Sequence, residues 1–205
     1  MPAAPYIIGL AGPSCSGKSS LAHCLAGMLP GPTAVLPLDA YYQDLTAIPA
    51  HARQDFNFDH PAALDYDLLL DNLEGLSRGQ TVEKPVYLFP AHVRAPRGEQ
   101  IHPGANLIIE GLFALYWKKI RTLLNAPIYV DAADSLCLQR RLQRDTRERG
   151  RTPESVLAQY EQTVRPMGAK YIVPTRKFAA LVADGEAPLA QTAATILSHI
   201  ELDRE

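Results

Sequence analysis

Residues 12–19 read Gly12-Pro13-Ser14-Cys15-Ser16-Gly17-Lys18-Ser19, the spacing GxxxxGKS. This pattern suits an anion. Gly12 and Gly17 let the backbone bend closely and turn its N–H groups inward, and a helix starting near Lys18 adds its positive end. Lys18 then reaches the β and γ phosphates of a nucleotide, and the Ser19 hydroxyl ligates magnesium. The loop is a Walker A motif, and Gly12, Pro13, Ser14, Cys15, Ser16, Gly17, Lys18, Ser19 and Ser20 form the expected nucleotide-binding set. Cys15 fits as a small residue, although a thiol beside a helix N-terminus also raises the question of redox sensitivity.

Two carboxylates stand where a phosphate site needs them. Asp39 follows the apolar run from Thr33 to Leu38, and Glu110 closes the run Asn106-Leu107-Ile108-Ile109. Ligands of open α/β sheets bind at the carboxyl ends of the strands. Asp39 is therefore the first candidate for a catalytic group, and Glu110 is the Walker B residue expected to hold the magnesium opposite Ser19. A third feature is Arg140, Arg141, Arg144, Arg147, Arg149 and Arg151, six arginines facing only Asp145 and Glu148. Some of these make solvated pairs four residues apart on a helix. The local surplus suits a triphosphate, whose oxygens planar guanidinium forks bind in pairs, on a segment closing as a lid.

These groups need a scaffold, and the hydrophobic pattern supplies one. Tyr6 to Leu10 is a buried strand ahead of the loop, and Ser20 to Leu29 is a helix after it. Further strands are expected over 33–38, 106–110, 126–130 and 178–183, and helices over 64–76, from about 134 with Asp134 as N-cap, from Thr152-Pro153, and over 188–202. Val156, Leu157, Tyr160 and Val164 give the helix after Thr152 an apolar face, with Gln159 on its polar side. Short strands over 81–89 and 100–101, joined through Ala95-Pro96-Arg97-Gly98, read as one antiparallel hairpin carrying Tyr87, His92 and Arg94. Alternating strands and helices specify an α/β fold of the P-loop NTPase kind: a five-stranded parallel sheet flanked by helices, with a small β-hairpin over about 81–102 and an arginine-rich helical lid over about 140–152. One domain over 1–205 is expected. Residues 40–61 are irregular and rich in aromatic and polar side chains, as binding segments are. Phe56 and Phe58 alternate as in a half-buried extended segment.

A formal net charge of -2 argues against general binding to nucleic acid or anionic membranes. The three cysteines form no CxxC pair, which suits a reducing compartment, and no run has the length of a membrane span. A cytoplasmic location is expected.

Taken together, GPSCSGKSS, LDAYYQDL, FNFDHP, VYLFPAHVR, IIEGLFALY, RRLQRDTRERGR, QY at 159–160 and VPTRKFA resemble the uridine kinase (uridine/cytidine kinase) family over nearly the whole chain. The resemblance implies transfer of the ATP γ-phosphoryl group, with Mg2+, to the 5′-hydroxyl of uridine or cytidine. It makes Asp39 the base and places Asp59 and Arg141 on the ribose hydroxyls. Tyr42, Tyr87 and His92 line the pyrimidine pocket, Phe89 packs on the base, and Arg151 and Gln159 face the nucleoside. Arg144 and Arg149 belong to the phosphate side. It also implies a homotetramer restrained by pyrimidine nucleoside triphosphates, and leaves GTP open as a donor.

One position departs from the pattern. The family usually has Asp after the hairpin tyrosine, where this chain has Leu88; Gln43, where lysine is common, is a smaller change. Leu88 bears on the acceptor, so a kinase for another small alcohol, of the pantothenate or ribulose 5-phosphate type, stays open. So does a non-catalytic sensor of pyrimidine nucleotides, against which the joint presence of Lys18, Asp39 and Glu110 argues.

Overall fold

The computed structural model describes residues 4–204; residues 1–3 and 205 of the expected domain lie outside the described residues. In chain order, β1 (Tyr6–Ala11) runs into the glycine loop and α1 (Lys18–Met28). Next come β2 (Thr33–Pro37) and α2 (Tyr66–Ser77), then the short strands β3 (Val82–Lys84), β4 (Tyr87–Leu88), β5 (Val93–Arg94) and β6 (Glu99–Ile101). β7 (Asn106–Glu110), α3 (Lys118–Arg121) and β8 (Ala126–Asp131) follow. The arginine helix α4 (Asp134–Glu148), α5 (Pro153–Gln159), α6 (Arg165–Met167), β9 (Leu181–Asp184) and α7 (Leu189–Arg204) complete the described chain.

Five strands form one parallel sheet in the order β2-β7-β1-β8-β9. It is buried on both faces, which explains why its strands read as continuous apolar runs. Ile7, Leu107 and Ile109 face α2 with Leu69 and Leu73, while Ile8, Leu10 and Ile108 face α1 and α7 with Leu21, Leu25 and Ile196. Register then sets the site. Leu10 of β1 pairs with Glu110 of β7, and Glu110 with Pro37 of β2. Three strands therefore end on one row, so the glycine loop, Asp39 and Glu110 must meet at the same edge.

Several expected boundaries shift, each for a physical reason. β2 stops at Pro37, and Asp39 lies in a 3-10 turn, Leu38–Tyr41. Asp134 is the first residue of α4 and not its cap: its carboxylate accepts from the Tyr160 hydroxyl at 2.6 Å and from Arg165, which leaves none of it for the helix end. Leu157 is exposed while Val156, Tyr160 and Val164 are buried, because those three recur every four residues on one face and Leu157 is turned about 100° from it. The last strand begins at Leu181, because 178 still belongs to the 3-10 turn Val173–Phe178.

The expected hairpin is two nested ladders. β3 pairs with β6 and β4 with β5, both antiparallel. Pro85 and Pro96, which carry no N–H, fall between the ladders. The tip is therefore at Phe89–His92 instead of Ala95–Gly98, closed by His92 and Ala91 amides donating to Leu88 O at 2.9 and 3.1 Å. Strand alternation buries Tyr87 and turns Leu88 outward, 42% exposed.

Arg94 clamps this hairpin to the segment after β2. Its guanidinium donates to Tyr42 O at 2.9 Å, Tyr41 O at 3.1 Å and the Asp65 carboxylate at 3.1 Å. Asp65 in turn caps α2 by accepting from the Leu68 amide at 3.3 Å. Replacing Arg94 with Met keeps the apolar stem and strands those acceptors. Arg94→Met is expected to cost about 1–3 kcal/mol in denaturant unfolding and to lose amide protection first over 82–101.

Candidate active site

The glycine loop closes on itself before it meets any ligand. The Pro13 carbonyl accepts the Ser16 amide at 3.2 Å and the Lys18 ammonium at 2.6 Å. A Cβ on Gly12, which sits at φ 148°, would lie 2.2 Å from Val130 O, so no other residue fits there. α1 starts from Gly17 with no side-chain cap and no acid in its first turn, and the Ser16 hydroxyl is buried without a partner. Amide donors and an orphaned hydroxyl thus face a cleft of about 530 Å³ bounded by residues 15–21, Arg140, Arg144 and the turn Asp184-Gly185. The loop fits an anionic phosphate chain.

Lys18, Glu110 and Asp39 form one charge system. Burial pulls the Lys18 ammonium below its usual pKa, and Glu110 and Asp39 oppose that pull. Burial pushes Asp39 above the usual carboxylate range, against Lys18, Arg149, Arg144 and a hydrogen bond from Tyr42. Glu110 is raised by burial and by Asp39, against Lys18 and the Ser19 bond. The Ser19 hydroxyl donates to Glu110 Oε1 at 3.0 Å. One hydroxyl and one carboxylate at a phosphate cradle are the hard oxygen donors that magnesium takes alongside phosphate oxygens. Among the described residues no cluster of three or more His, Cys, Asp or Glu exists to hold a metal by protein ligands alone.

Beyond Asp39 the site turns aromatic. The Tyr42 ring meets Phe58 edge-on at 5.2 Å and Tyr87 at 5.5 Å, Tyr87 meets Phe89 at 5.3 Å, and His92 stacks on Phe58 at 4.8 Å. His92 takes a left-handed backbone, φ 55°, at the hairpin tip. Burial and the nearby Arg149 and Arg53 hold its imidazole below the ordinary pKa. Burial lifts the Tyr87 phenol to about 12. Tyr42, Tyr87, Phe89 and His92 therefore converge as expected, and Phe58 joins them as the ring between Tyr42 and His92. Leu88 points away from this slot.

Asp59 is buried beside the slot, raised by desolvation against the pull of Arg141, with Thr163 beside it. Its neighbour His60 bonds the Tyr171 hydroxyl at 2.9 Å. Thr163 and Tyr171 lie one in each π-helical turn, so both irregular turns border the Phe56–Pro61 segment, and the second holds it. Neither residue is marked in the sequence, where π turns leave no periodic signal.

The arginines divide by task. Arg140 pins the loop and the β9–α7 turn, donating to Gly185 O at 3.0 Å and Cys15 O at 3.4 Å. Arg141 bridges Ser14 Oγ and Gln159 Oε1, both at 3.1 Å, and Arg151 shares the Gln159 oxygen. Gln159 thus turns inward. Arg147 is exposed. α4 ends at Glu148, so Arg149 and Arg151 lie beyond it, contrary to a helix running through all six. Asp145 also differs from expectation: it is fully buried and not one half of a solvated pair.

The raised Asp39 has a thermodynamic consequence. Below the ordinary carboxylate pKa the group is protonated in both folded and unfolded chains; as pH rises past it the unfolded chain releases its proton first, and stability falls toward neutral pH. Asp39→Asn is expected to melt about 2–4 °C higher than the parent at pH 7, with the gain vanishing near pH 4. Differential scanning calorimetry across that range checks both the sign and the window.

Residues 7–187 match the model of the phosphoribulokinase / uridine kinase family. The uridine kinase of Deinococcus deserti is 41% identical over 179 residues, 87% of this chain and 86% of that protein. The uridine kinase of Escherichia coli K12 is 40% identical over 181 residues, covering 86% and 85%. Among solved structures, a putative fructose transport system kinase from Silicibacter sp. TM1040 superposes with a TM-score of 0.71 at 19% identity, covering 89% of this chain and 90% of that one. A possible uridine kinase from Bacillus stearothermophilus gives a TM-score of 0.55 at 17% identity, covering 89% and 90%. Those structural likenesses speak for the α/β P-loop fold, and the sequence matches for descent. The resemblance carried by the motifs is borne out, and the chain belongs to the phosphoribulokinase / uridine kinase family.

Proposed function

We propose that the chain transfers the γ-phosphoryl group of ATP to the 5′-hydroxyl of uridine or cytidine, giving UMP or CMP. The observation that carries this reading is the position of Asp39. It lies between a phosphate end, made by the glycine loop, Lys18 and the Ser19–Glu110 pair, and an acceptor end, made by Asp59, Arg141 and the aromatic slot. A group so placed can take a hydroxyl proton facing the γ phosphorus.

In this reading the 5′ oxygen bonds to the γ phosphorus as the bond to the β–γ bridging oxygen breaks, ADP leaves, and the hydroxyl proton passes to Asp39. Lys18, Arg144 and Arg149 face the charge spread over the transferring group. The amides of residues 12–20 hold the phosphate chain. Ser19 and Glu110 would hold magnesium, which when bound would neutralise phosphate charge. Asp59 and Arg141 take the ribose hydroxyls, with Arg151 and Gln159 behind them. Tyr42, Tyr87, Phe89 and His92 enclose the base, His92 as a neutral imidazole able both to donate and to accept.

Leu88 faces away from Tyr87, 42% exposed, which favours a nucleoside slot over one for another alcohol such as pantothenate or ribulose 5-phosphate. The family resemblance extends the reading to one kinase domain with the arginine segment as lid, acting in pyrimidine salvage as a cytoplasmic homotetramer. Feedback by UTP or CTP and tolerance of GTP as donor belong to the same extension. Among the described residues no helix is long and apolar enough to cross a membrane.

An ADP-release assay with magnesium ATP against uridine, cytidine, adenosine, pantothenate and ribulose 5-phosphate tests the proposal. Turnover is expected on the two pyrimidine nucleosides alone. Asp39→Asn is expected to keep ATP binding and lose about 10²–10⁴-fold in turnover. Near-normal turnover in that variant, or activity confined to another acceptor, would contradict it.

A further inference from the structure

Four guanidinium groups converge on Asp145, whose side chain has no exposed surface. They divide evenly between its two oxygens. Oδ1 faces Arg144 Nε at 2.8 Å and Arg149 Nε at 3.6 Å. Oδ2 faces Arg141 Nε at 3.5 Å and Arg151 Nη1 at 3.7 Å. The first pair is the one assigned above to the phosphates. The second is the pair assigned to the nucleoside: both donate to Gln159, and Arg141 also reaches Ser14 of the glycine loop.

The local sequence explains the convergence. Arg141 lies one turn before Asp145 on its face of α4, and Arg149 lies four residues after it, just past the helix end. Gly150 then takes a left-handed conformation, φ 63°, and reverses the chain. Arg151 comes back so that its amide donates to the Asp145 carbonyl at 3.1 Å while its guanidinium reaches the carboxylate. Arginine has no acceptor, so no two of these side chains can bond each other. One carboxylate is what they share.

The geometry points to Asp145 as a positioning residue that holds the phosphate-side and nucleoside-side arginines in fixed relation, one pair to each carboxylate oxygen. The inference rests on the nucleoside kinase reading. The Oδ2 side is slack: both that oxygen and Arg141 Nε are buried without a hydrogen bond, and both ion pairs to it exceed 3.4 Å. Of the four, Arg144 is hydrogen-bonded to the carboxylate, through Oδ1, and anchors it there.

Two measurements separate positioning from glue. Asp145→Asn keeps the shape and removes the charge, so the cluster gains net positive charge while its geometry loosens. Its ATP affinity by titration calorimetry is expected to stay within about threefold of the parent. Its kcat per folded molecule is expected to fall by about 30- to 100-fold, the scale of a misplacement near 1 Å, with a raised acceptor KM. A purely structural role would lower the melting temperature and leave kcat per folded molecule unchanged, which would overturn the inference. Should Asp145→Asn fail to fold, a double-mutant cycle of Arg144→Lys and Arg151→Lys in the native background carries the test. Both arginines contact Asp145 and neither can bond the other, so the combined loss in kcat is expected to differ from the product of the single losses by about threefold or more; losses that multiply simply would overturn the inference. A wild-type chain that turns over no nucleoside would instead overturn the nucleoside reading, and with it the acceptor half of this inference.

Discussion

Lys18 is buried with its ammonium on a loop carbonyl, and the carboxylates that compensate it, Glu110 and Asp39, come from different strands. A buried ammonium without counter-charge is costly, and two buried carboxylates without a cation are costlier still. Lys18 offsets part of the cost of each carboxylate, and each carboxylate part of its own. The parallel register supplies that, since Leu10, Glu110 and Pro37 stand on one row and each strand releases its functional residue at the same edge. The glycine loop, the 3-10 turn bearing Asp39 and the uncapped start of α1 are local consequences of that edge. Strain is accepted there: Asp39, Asp59 and Glu110 are all raised above the usual carboxylate range, led in each case by desolvation.

The acceptor end depends on a different constraint, the docking of irregular segments. Arg94 ties the hairpin to Tyr41, Tyr42 and Asp65, and Tyr171 ties the Phe56–Pro61 segment, through His60, to the second π-helical turn. The aromatic slot is thus assembled from three pieces of chain far apart in sequence. Each piece is held by polar bonds of its own, so the rings are placed before a ligand arrives.

What was legible in the sequence follows from the reach of each signal. The five strands, the loop and the carboxylates at strand ends were readable because apolar runs and glycine spacing are local patterns, and chain order then dictates a parallel sheet. The hairpin was readable as a hairpin but not in its register: Pro85 and Pro96 divide it into two ladders, and the tip at His92 needs a left-handed residue that its sequence does not advertise. Asp145 looked like half of a surface pair because i to i+4 spacing gives the neighbours and not the burial. Only the reversal at Gly150, which brings Arg151 back over it, makes it a hub. Leu88 was legible as a departure but not in its orientation, since alternation along a two-residue strand decides which way it faces. The π turns that deliver Thr163 and Tyr171 had no sequence signal.

The central claim is that Asp39 stands between the transferring phosphate and the acceptor hydroxyl. A crystal structure with uridine and a non-hydrolysable ATP analogue bound together tests it most directly. The account predicts the 5′ oxygen within hydrogen-bond reach of the Asp39 carboxylate, about 2.6–3.2 Å, with the pyrimidine among Tyr42, Tyr87 and His92 and the triphosphate on the glycine loop. A nucleoside seated elsewhere, or a 5′ oxygen turned from Asp39 with the γ phosphate in place, would contradict it.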